Sequence, residues 1–165
     1  MIAIGIDPST KAMGYGVLRS VQGGPLKYVT AGVITAPAGW PLVRRLDELA
    51  RGLEEVVAEV DPTNDVILCG IEAGFVKGQA GALSLGAARG VASLVMYRRF
   101  KVEVRSYAPT SVKLAATGSG KADKVQVARA VANRFGLKVV PDGDTSDALA
   151  VAITRAQDST LFRAR

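Results

Sequence analysis

The sequence contains no histidine and only one cysteine, and both shortages limit the chemistry that it can perform. Without histidine there is no Ser-His-Asp triad, no Cys-His dyad, no histidine base and no His-ligated zinc. A single cysteine excludes an internal disulfide and a cysteine-rich metal site, and it suits a reducing compartment. Polar catalysis must therefore come from carboxylates, lysine or arginine, hydroxyl groups, or a metal ion held by oxygen ligands.

Segments that would direct the chain to a membrane are also missing from the sequence. The apolar run from Ile2 to Ile6 has no basic segment before it and stops at Asp7, unlike a secretory signal. No apolar run approaches the roughly 20 residues of a membrane span. We therefore expect a cytoplasmic protein without a membrane partner. The 165 residues predict one domain over residues 1–165, with residues 158–165 as a frayed tail.

Charge is distributed unevenly along the chain. The formal net charge is +6, from 21 basic and 15 acidic residues. Residues 47–65 carry seven acids and one base, so the remainder of the chain has a net charge of +12. A basic surface favours a polyanionic partner such as nucleic acid, although solvated helix faces give the same composition.

The hydrophobic pattern predicts an α/β fold. Continuous apolar runs, alternation and turn residues indicate strands, and a 3–4 spacing of apolar residues indicates helices. The predicted order is strands 2–6, 14–19 and 28–35, helix 41–60, strand 66–71, helix 80–98, a buried strand 102–104, and helices 109–116, 122–135 and 145–157. Strands that alternate with helices after an initial hairpin predict a mixed five-stranded sheet with helices on both faces.

Four carboxylates occur where this sheet would present a site. Asp7 and Glu72 each follow a continuous apolar strand, and Asp144 and Asp147 lie on one face at the start of the last helix. Because ligands collect at the carboxyl ends of strands in open α/β sheets, these side chains are candidates for one cluster. Each also has an ordinary alternative: Asp144 as a helix N-cap, Asp7 as a turn residue, and Glu72 as half of a buried ion pair.

A cluster of four carboxylates needs a compensating charge. Like charges a few ångströms apart raise one another's pKa unless a cation neutralises them. Mg²⁺ or Mn²⁺ suits oxygen ligands, and two such ions roughly 3.5–4 Å apart can activate water and stabilise the leaving oxygen of a phosphodiester. We therefore expect a metal site at Asp7, Glu72, Asp144 and Asp147 that uses two Mg²⁺ or Mn²⁺ ions.

Basic and aromatic residues near these acids are candidates for DNA contacts. Lys113, Lys121 and Lys124 lie on or between C-terminal helices, beside a Gly118-Ser119-Gly120 turn whose backbone can approach phosphates. Phe75 and Lys77 lie in the loop after Glu72, where an aromatic ring can stack on bases or wedge between them. The alternatives are a solvated basic face for the lysines and core packing for Phe75.

The helix predicted over residues 80–98 contains unusually many small residues, among them Gly81, Gly86 and Gly90. Glycine inside a helix costs about 1 kcal/mol relative to alanine. Close approach of another backbone would offset this cost. Either the sheet of the same chain or a second subunit can provide that backbone.

The order and spacing of these motifs resemble the RuvC family of Holliday-junction resolvases over nearly the full length of the chain. The matching stretches are Gly5-Ile6-Asp7-Pro8, Gly14-Tyr15-Gly16-Val17, Ile71-Glu72 with Phe75, Leu85-Gly86-Ala87-Ala88-Arg89-Gly90-Val91, Ala108-Pro109-Thr110-Ser111-Val112-Lys113, residues 118–127, and Asp144-Thr145-Ser146-Asp147-Ala148-Leu149-Ala150. The turn after Pro8 departs from the family pattern, because Ser9-Thr10-Lys11 stands where Gly-Ser is common.

The resemblance implies a ribonuclease-H-like fold and a homodimer that cuts four-way DNA junctions during recombination and repair. It implies paired symmetric incisions, and it assigns metal binding and catalysis to the four acids. It places Lys113 and Lys124 near the scissile phosphate and Phe75 at the crossover, and it implies a branch-migration helicase complex as partner. A non-cleaving junction-binding module is the alternative, and an actin-like ATPase is disfavoured because the chain has no room for a second lobe.

Overall fold

The computed structural model describes residues 1–21, 24–74 and 78–163, and its five strands form one mixed sheet. The strands are β1 (Ile2–Asp7), β2 (Ala12–Arg19), β3 (Lys27–Thr35), β4 (Ile67–Glu72) and β5 (Val104–Tyr107). Their order across the sheet is β3-β2-β1-β4-β5. Strand β2 is antiparallel to both neighbours, whereas β4 runs parallel to β1 and to β5.

Helices cover both faces of the sheet and create two cores. The helices are α1 (Leu42–Ala58), α2 (Gln79–Phe100), α3 (Pro109–Thr117), α4 (Lys124–Phe135) and α5 (Gly143–Arg163). The even-numbered isoleucines of β1 face α1 and α2, whereas Ala3 faces α3, α4 and α5. This alternation along a central strand is the period of two that a sheet covered on both sides requires. The predicted mixed five-stranded sheet with helices on both faces is confirmed.

The largest differences in boundary from the sequence-based expectation are at β5 and at the end of α5. Strand β5 begins at Val104 rather than ending there, and it is an edge strand in which Arg105 and Ser106 are exposed. Val102 resembles a strand residue by composition but packs against the core under α1 and α2 before the strand begins. Helix α5 continues past Gln157 to Arg163.

Glycines on β1 and β2 allow α5 to lie directly against the sheet. A methyl group added at Gly5 would overlap the backbone of Ala148 and Ala152. One added at Gly14 would overlap the Asp144 carbonyl, and one at Gly16 would lie 2.9 Å from the Leu149 Cα atom. The nearest atoms of α5 at these glycines are mainly backbone atoms, so the contact is largely backbone against backbone. This contact fixes where the first turn of α5 stands relative to the end of β1.

The acidic segment lies mainly at the sheet edge opposite Asp7. Helix α1 follows β3, whose end pairs with the start of β2, so α1 begins near the turn after Asp7. Helix α1 then runs back across the sheet, and Arg99 of α2 donates to the Val57 carbonyl in its last turn and to the Val60 carbonyl just beyond its end. Asp65 then pairs with the Met1 ammonium and with Arg19, each at 2.7 Å. Most of the seven acids therefore stand away from the edge that carries Asp7.

Helix α2 is the one helix in the described ranges with the length and composition of a membrane span, which the sequence analysis did not anticipate. Its 22 residues include an 18-residue window of mean hydropathy 1.2, of which 22% is buried. Arg89 lies inside the helix and donates to the Ser106 hydroxyl at 2.6 Å. A core helix passes the same test of length and composition, so one such helix is weak evidence for a span.

The contact between α5 and the sheet predicts a severe effect of a small substitution. Replacing Gly5 by alanine should lower the free energy of unfolding by about 3 kcal/mol or more, because the clash is with backbone that cannot rotate away. Thermal unfolding measures this loss, at roughly 2–4 °C per kcal/mol for a chain of this size. Gly39→Ala is the control, since a methyl group there would meet no atom within 4 Å. Equal stability of the two variants would contradict the packing described.

Candidate active site

Asp142 caps the start of α5, in place of Asp144, the cap that the sequence analysis offered. The Asp142 carboxylate accepts hydrogen bonds from the Thr145 backbone N–H at 2.8 Å and from its hydroxyl at 2.9 Å. The Ser146 backbone N–H donates to the Asp142 carbonyl at 2.9 Å. Asp142 thus satisfies N–H groups that the first turn of a helix leaves free. The interpretation of Asp144 as a simple N-cap is therefore wrong.

Three of the predicted acids meet at the carboxyl edge of the sheet. Asp7 ends β1 and Glu72 ends the adjacent parallel strand β4, while Asp147 comes from the first turns of α5 above them. One carboxylate oxygen from each lies within 4.8 Å of the others. Asp144 stands outside this trio but close enough for its charge to raise the pKa of Asp7. We refer to Asp7, Glu72 and Asp147 as the acid trio.

The acid trio is electrostatically costly without a cation. Burial, together with the negative charges of Glu72, Asp147 and Asp144, raises the pKa of Asp7 to about 8, and the positive charge of Lys124 opposes part of this rise. Burial and the Asp147 charge likewise raise the pKa of Glu72, and a hydrogen bond with Asp7 offsets part of that rise. Desolvation and like charge therefore both oppose ionisation of these carboxyl groups.

Two predicted lysines lie beside the acid trio, and a third does not contact it. The Lys124 ammonium pairs with Asp147 at 3.1 Å, and this hydrogen bond holds the pKa of Lys124 above its usual range. The positive charge of Lys113, on α3, offsets a small part of the raised pKa of Glu72. Lys121 is exposed before α4 and forms no ion pair within the described part of the chain. Phe75 and Lys77 lie outside the described residues.

Local sequence explains the position of Lys124. Lys124 is the first residue of α4, and Asp123 before it is the N-cap. The Asp123 carboxylate accepts a hydrogen bond from the Gln126 backbone N–H at 2.8 Å, and the Gln126 side chain accepts one from the Asp123 backbone N–H at 2.9 Å. This reciprocal capping box fixes the helix start. The charge pattern pointed to Lys124 as a phosphate contact, but only the structure shows that it pairs with Asp147.

The donor set of the acid trio fits a divalent metal ion. Hard cations such as Mg²⁺ and Mn²⁺ select carboxylate oxygens, and these three are half-buried with no arginine or lysine near enough to neutralise all of them. Nitrogen and thiolate ligands are absent, because the chain has no histidine and its single cysteine is buried within β4. The site therefore suits an oxygen-coordinated divalent ion.

Comparison with known proteins agrees with this geometry. Residues 3–155 match the family model described as crossover junction endodeoxyribonuclease RuvC. The chain belongs to the RuvC family. A RuvC from Rubrobacter xylanophilus is 42% identical over 156 residues, covering 94% of this chain and 84% of that protein. A RuvC from Chloroflexus aggregans is 41% identical over 157 residues, covering 94% of this chain and 93% of that protein.

A solved structure of a relative shows the same fold. The structure of T. thermophilus RuvC in complex with Holliday junction substrate superposes with a TM-score of 0.84 at 27% identity, covering 98% of this chain and 96% of that one. The fold is therefore ribonuclease-H-like, as the resemblance implied. Membership of the RuvC family identifies the chain as a nuclease that acts on phosphodiester bonds at DNA crossover junctions, and this family depends on divalent metal.

The raised pKa of Asp7 predicts how stability depends on pH in metal-free protein. Because the folded-state pKa of about 8 exceeds the ordinary value of 3.8, folded protein binds more protons between these values and loses stability as pH rises through them. Asp7→Asn should therefore be more stable than wild type at pH 8–9 in chelator, by an amount on the order of 2 kcal/mol, with a smaller difference near pH 4. Urea unfolding across this pH range measures it; a difference independent of pH would contradict the electrostatic account.

Proposed function

We propose that the chain resolves Holliday junctions by paired, symmetric, metal-dependent hydrolysis of phosphodiester bonds. The acid trio, with Asp144 beside it, would hold two Mg²⁺ or Mn²⁺ ions. The observation that supports this most directly is the convergence of three carboxylates from β1, β4 and α5 on one sheet edge. When bound, such ions supply an activated water and stabilise the leaving oxygen of the phosphodiester.

The residues of the chain itself have positioning roles in this proposal. Lys124 is 70% exposed, so its ammonium can contact a phosphate while its hydrogen bond keeps Asp147 in place. Lys113 brings a second positive charge to the Glu72 side of the site. Together the two lysines would orient the scissile phosphate over the acid trio and counter the repulsion between DNA and carboxylates.

Other parts of the proposal follow from the family. Phe75 and Lys77 would contact DNA at the crossover, and Lys121 would bind a phosphate of a flanking arm. Two symmetric cuts would leave ligatable nicks during recombination and repair in the cytoplasm. A branch-migration helicase complex would deliver the junction.

Paired incision needs two active sites, and α2 supplies a surface that suits a second copy of the chain. Exposed residues Leu83, Gly86, Gly90, Leu94 and Tyr97 follow one another at spacings of three and four, so they form one stripe along the helix. A methyl group at Gly86 or Gly90 would meet no atom within 4 Å, so close approach within the chain does not explain these glycines. We propose that the stripe is the homodimer contact.

Junction cleavage tests the nuclease proposal. Wild type with Mg²⁺ or Mn²⁺ should make two symmetric cuts in a synthetic four-way junction, whereas Asp7→Asn and Asp147→Asn should lower the rate by about 10²–10³-fold, the range for loss of one electrostatic contact in an active site. Both variants should still bind the junction, because each removes a negative charge. Glu103→Gln, an exposed acid before β5 at the opposite sheet edge, is the control. Tight binding by wild type without any cleavage would instead favour the non-cleaving junction-binding module.

Solution mass tests the dimer proposal. Gly90→Glu should give a monomer, because it places a charged side chain in the middle of the α2 stripe, while the fold remains stable since nothing in the same chain is displaced. Light scattering coupled to size exclusion measures the mass, and the monomer should nick junctions without paired cutting. Gly39→Glu, at a second open position, should remain dimeric. A dimeric Gly90→Glu variant would place the interface elsewhere.

A further inference from the structure

A basic and aromatic surface lies on the β3 side of the acid trio, apart from the lysines of α3 and α4. The guanidinium carbon of Arg44 stands 3.7 Å from the centre of the Trp40 ring, a stacked cation–π contact. Arg44 is exposed and makes no hydrogen bond or ion pair with a described residue. Its in-plane N–H groups are therefore available to an anion outside the protein.

Arg45 ties this surface to the turn that follows Asp7. Its guanidinium donates to the Trp40 carbonyl at 3.2 Å, to the Thr10 carbonyl at 3.1 Å and to the Thr10 hydroxyl at 2.9 Å. The Ala36 N–H also donates to the Lys11 carbonyl at 2.8 Å. The two neighbouring arginines thus differ: Arg45 is used inside the protein, whereas Arg44 faces outward.

Strand pairing gives the distance of this surface from the acid trio. Asp7 pairs with Gly14, Gly14 pairs with Val33, and β3 ends two residues later at Thr35. At about 4.8 Å between strands and 3.4 Å per residue, the end of β3 is about 12 Å from Asp7. Trp40 lies a few residues beyond the end of β3, so its distance from Asp7 corresponds to about four to six nucleotides at 3.4 Å each.

The charge along α1 limits contact with DNA to its first turn. Lys11 and Arg44 are exposed near the sheet edge that carries Asp7, and the first turn of α1 contains no acidic residue. Arg51 lies on the same helix face two turns further on, but it pairs with Glu48 at 3.5 Å amid the acidic segment. A polyanion is therefore attracted at Arg44 and repelled beyond it.

We propose that Arg44, held flat against Trp40, binds a backbone phosphate of one junction arm a few nucleotides from the cut, an inference that rests on the proposed junction cleavage. Stacking on the indole orients the guanidinium before DNA arrives, so less side-chain entropy is lost on binding. A planar guanidinium matches two phosphate oxygens. Lys11 continues the positive surface towards the acid trio.

Salt dependence of junction binding tests this contact. In Ca²⁺ or chelator, Arg44→Gln should weaken binding about 5–10-fold at 0.1 M salt and reduce the magnitude of the slope of log affinity against log salt by about 0.9, the value for one phosphate contact. Trp40→Leu should weaken binding less than Arg44→Gln, because the positive charge of Arg44 remains but no longer stacks on an aromatic ring. Arg51→Gln, which removes the same charge from the same helix face, should bind like wild type. Thermal unfolding of each variant establishes that it is folded.

Two further measurements locate the contact. Trp40 is the only tryptophan in the chain, so its fluorescence should change when wild type binds the junction. Uncharged methylphosphonates placed singly two to seven nucleotides from the cut should weaken wild type at one position and leave Arg44→Gln unaffected there. The inference would be overturned if the slope of log affinity against log salt were the same for Arg44→Gln and wild type. It would also be overturned if Arg51→Gln changed that slope as much as Arg44→Gln does. Wild type that neither binds nor cuts junctions would overturn the proposed function itself.

Discussion

Direct packing of α5 against β1 and β2 is the constraint on which the site depends. Gly5, Gly14 and Gly16 remove the side chains that would otherwise separate helix and sheet. The helix therefore descends onto the strands, and its first turns reach the edge where Asp7 ends β1. A helix held a few ångströms further away would leave Asp147 too distant to share an ion with Asp7 and Glu72. These glycines thus bring Asp147 within reach of Asp7 and Glu72.

The close packing of α5 on the sheet also makes the ionised acid trio electrostatically unfavourable. Burial and mutual repulsion disfavour the charged state of Asp7 and Glu72, and Lys124 and Lys113 compensate only in part. The fold tolerates this because two cores, one on each side of the sheet, stabilise the strands and helix that carry the acids. Under the proposed function, a divalent cation would meet ligands that are already gathered, so little reorganisation would be needed.

Much of the fold and of the site was predictable because the signals were local. Continuous apolar runs marked β1 and β4, and carboxylates at their ends marked Asp7 and Glu72 as neighbours once the strands were assumed parallel. The bounds of β5 were not predictable, because Val102 has the composition of a strand residue but packs beneath the helices before the strand begins. The Asp142 cap was missed because Asp142, Asp144 and Thr145 are all good caps, and only the backbone geometry selects one. The stacking of Arg44 on Trp40 was not predictable, because only the folded structure places these two side chains beside the turn after Asp7.

The separation of charge along α1 has a consequence for how the protein meets its substrate. Acids accumulate towards the end of the helix, at the exposed Glu54, Glu55 and Glu59, whereas exposed cations border the edge that carries the acid trio. Such a separation gives the molecule an electric dipole, and a polyanion approaching in dilute salt exerts a torque on it. Encounters in which the acidic end leads are disfavoured by repulsion at low salt. Productive encounters are thereby enriched during diffusion, before any side chain touches a nucleotide.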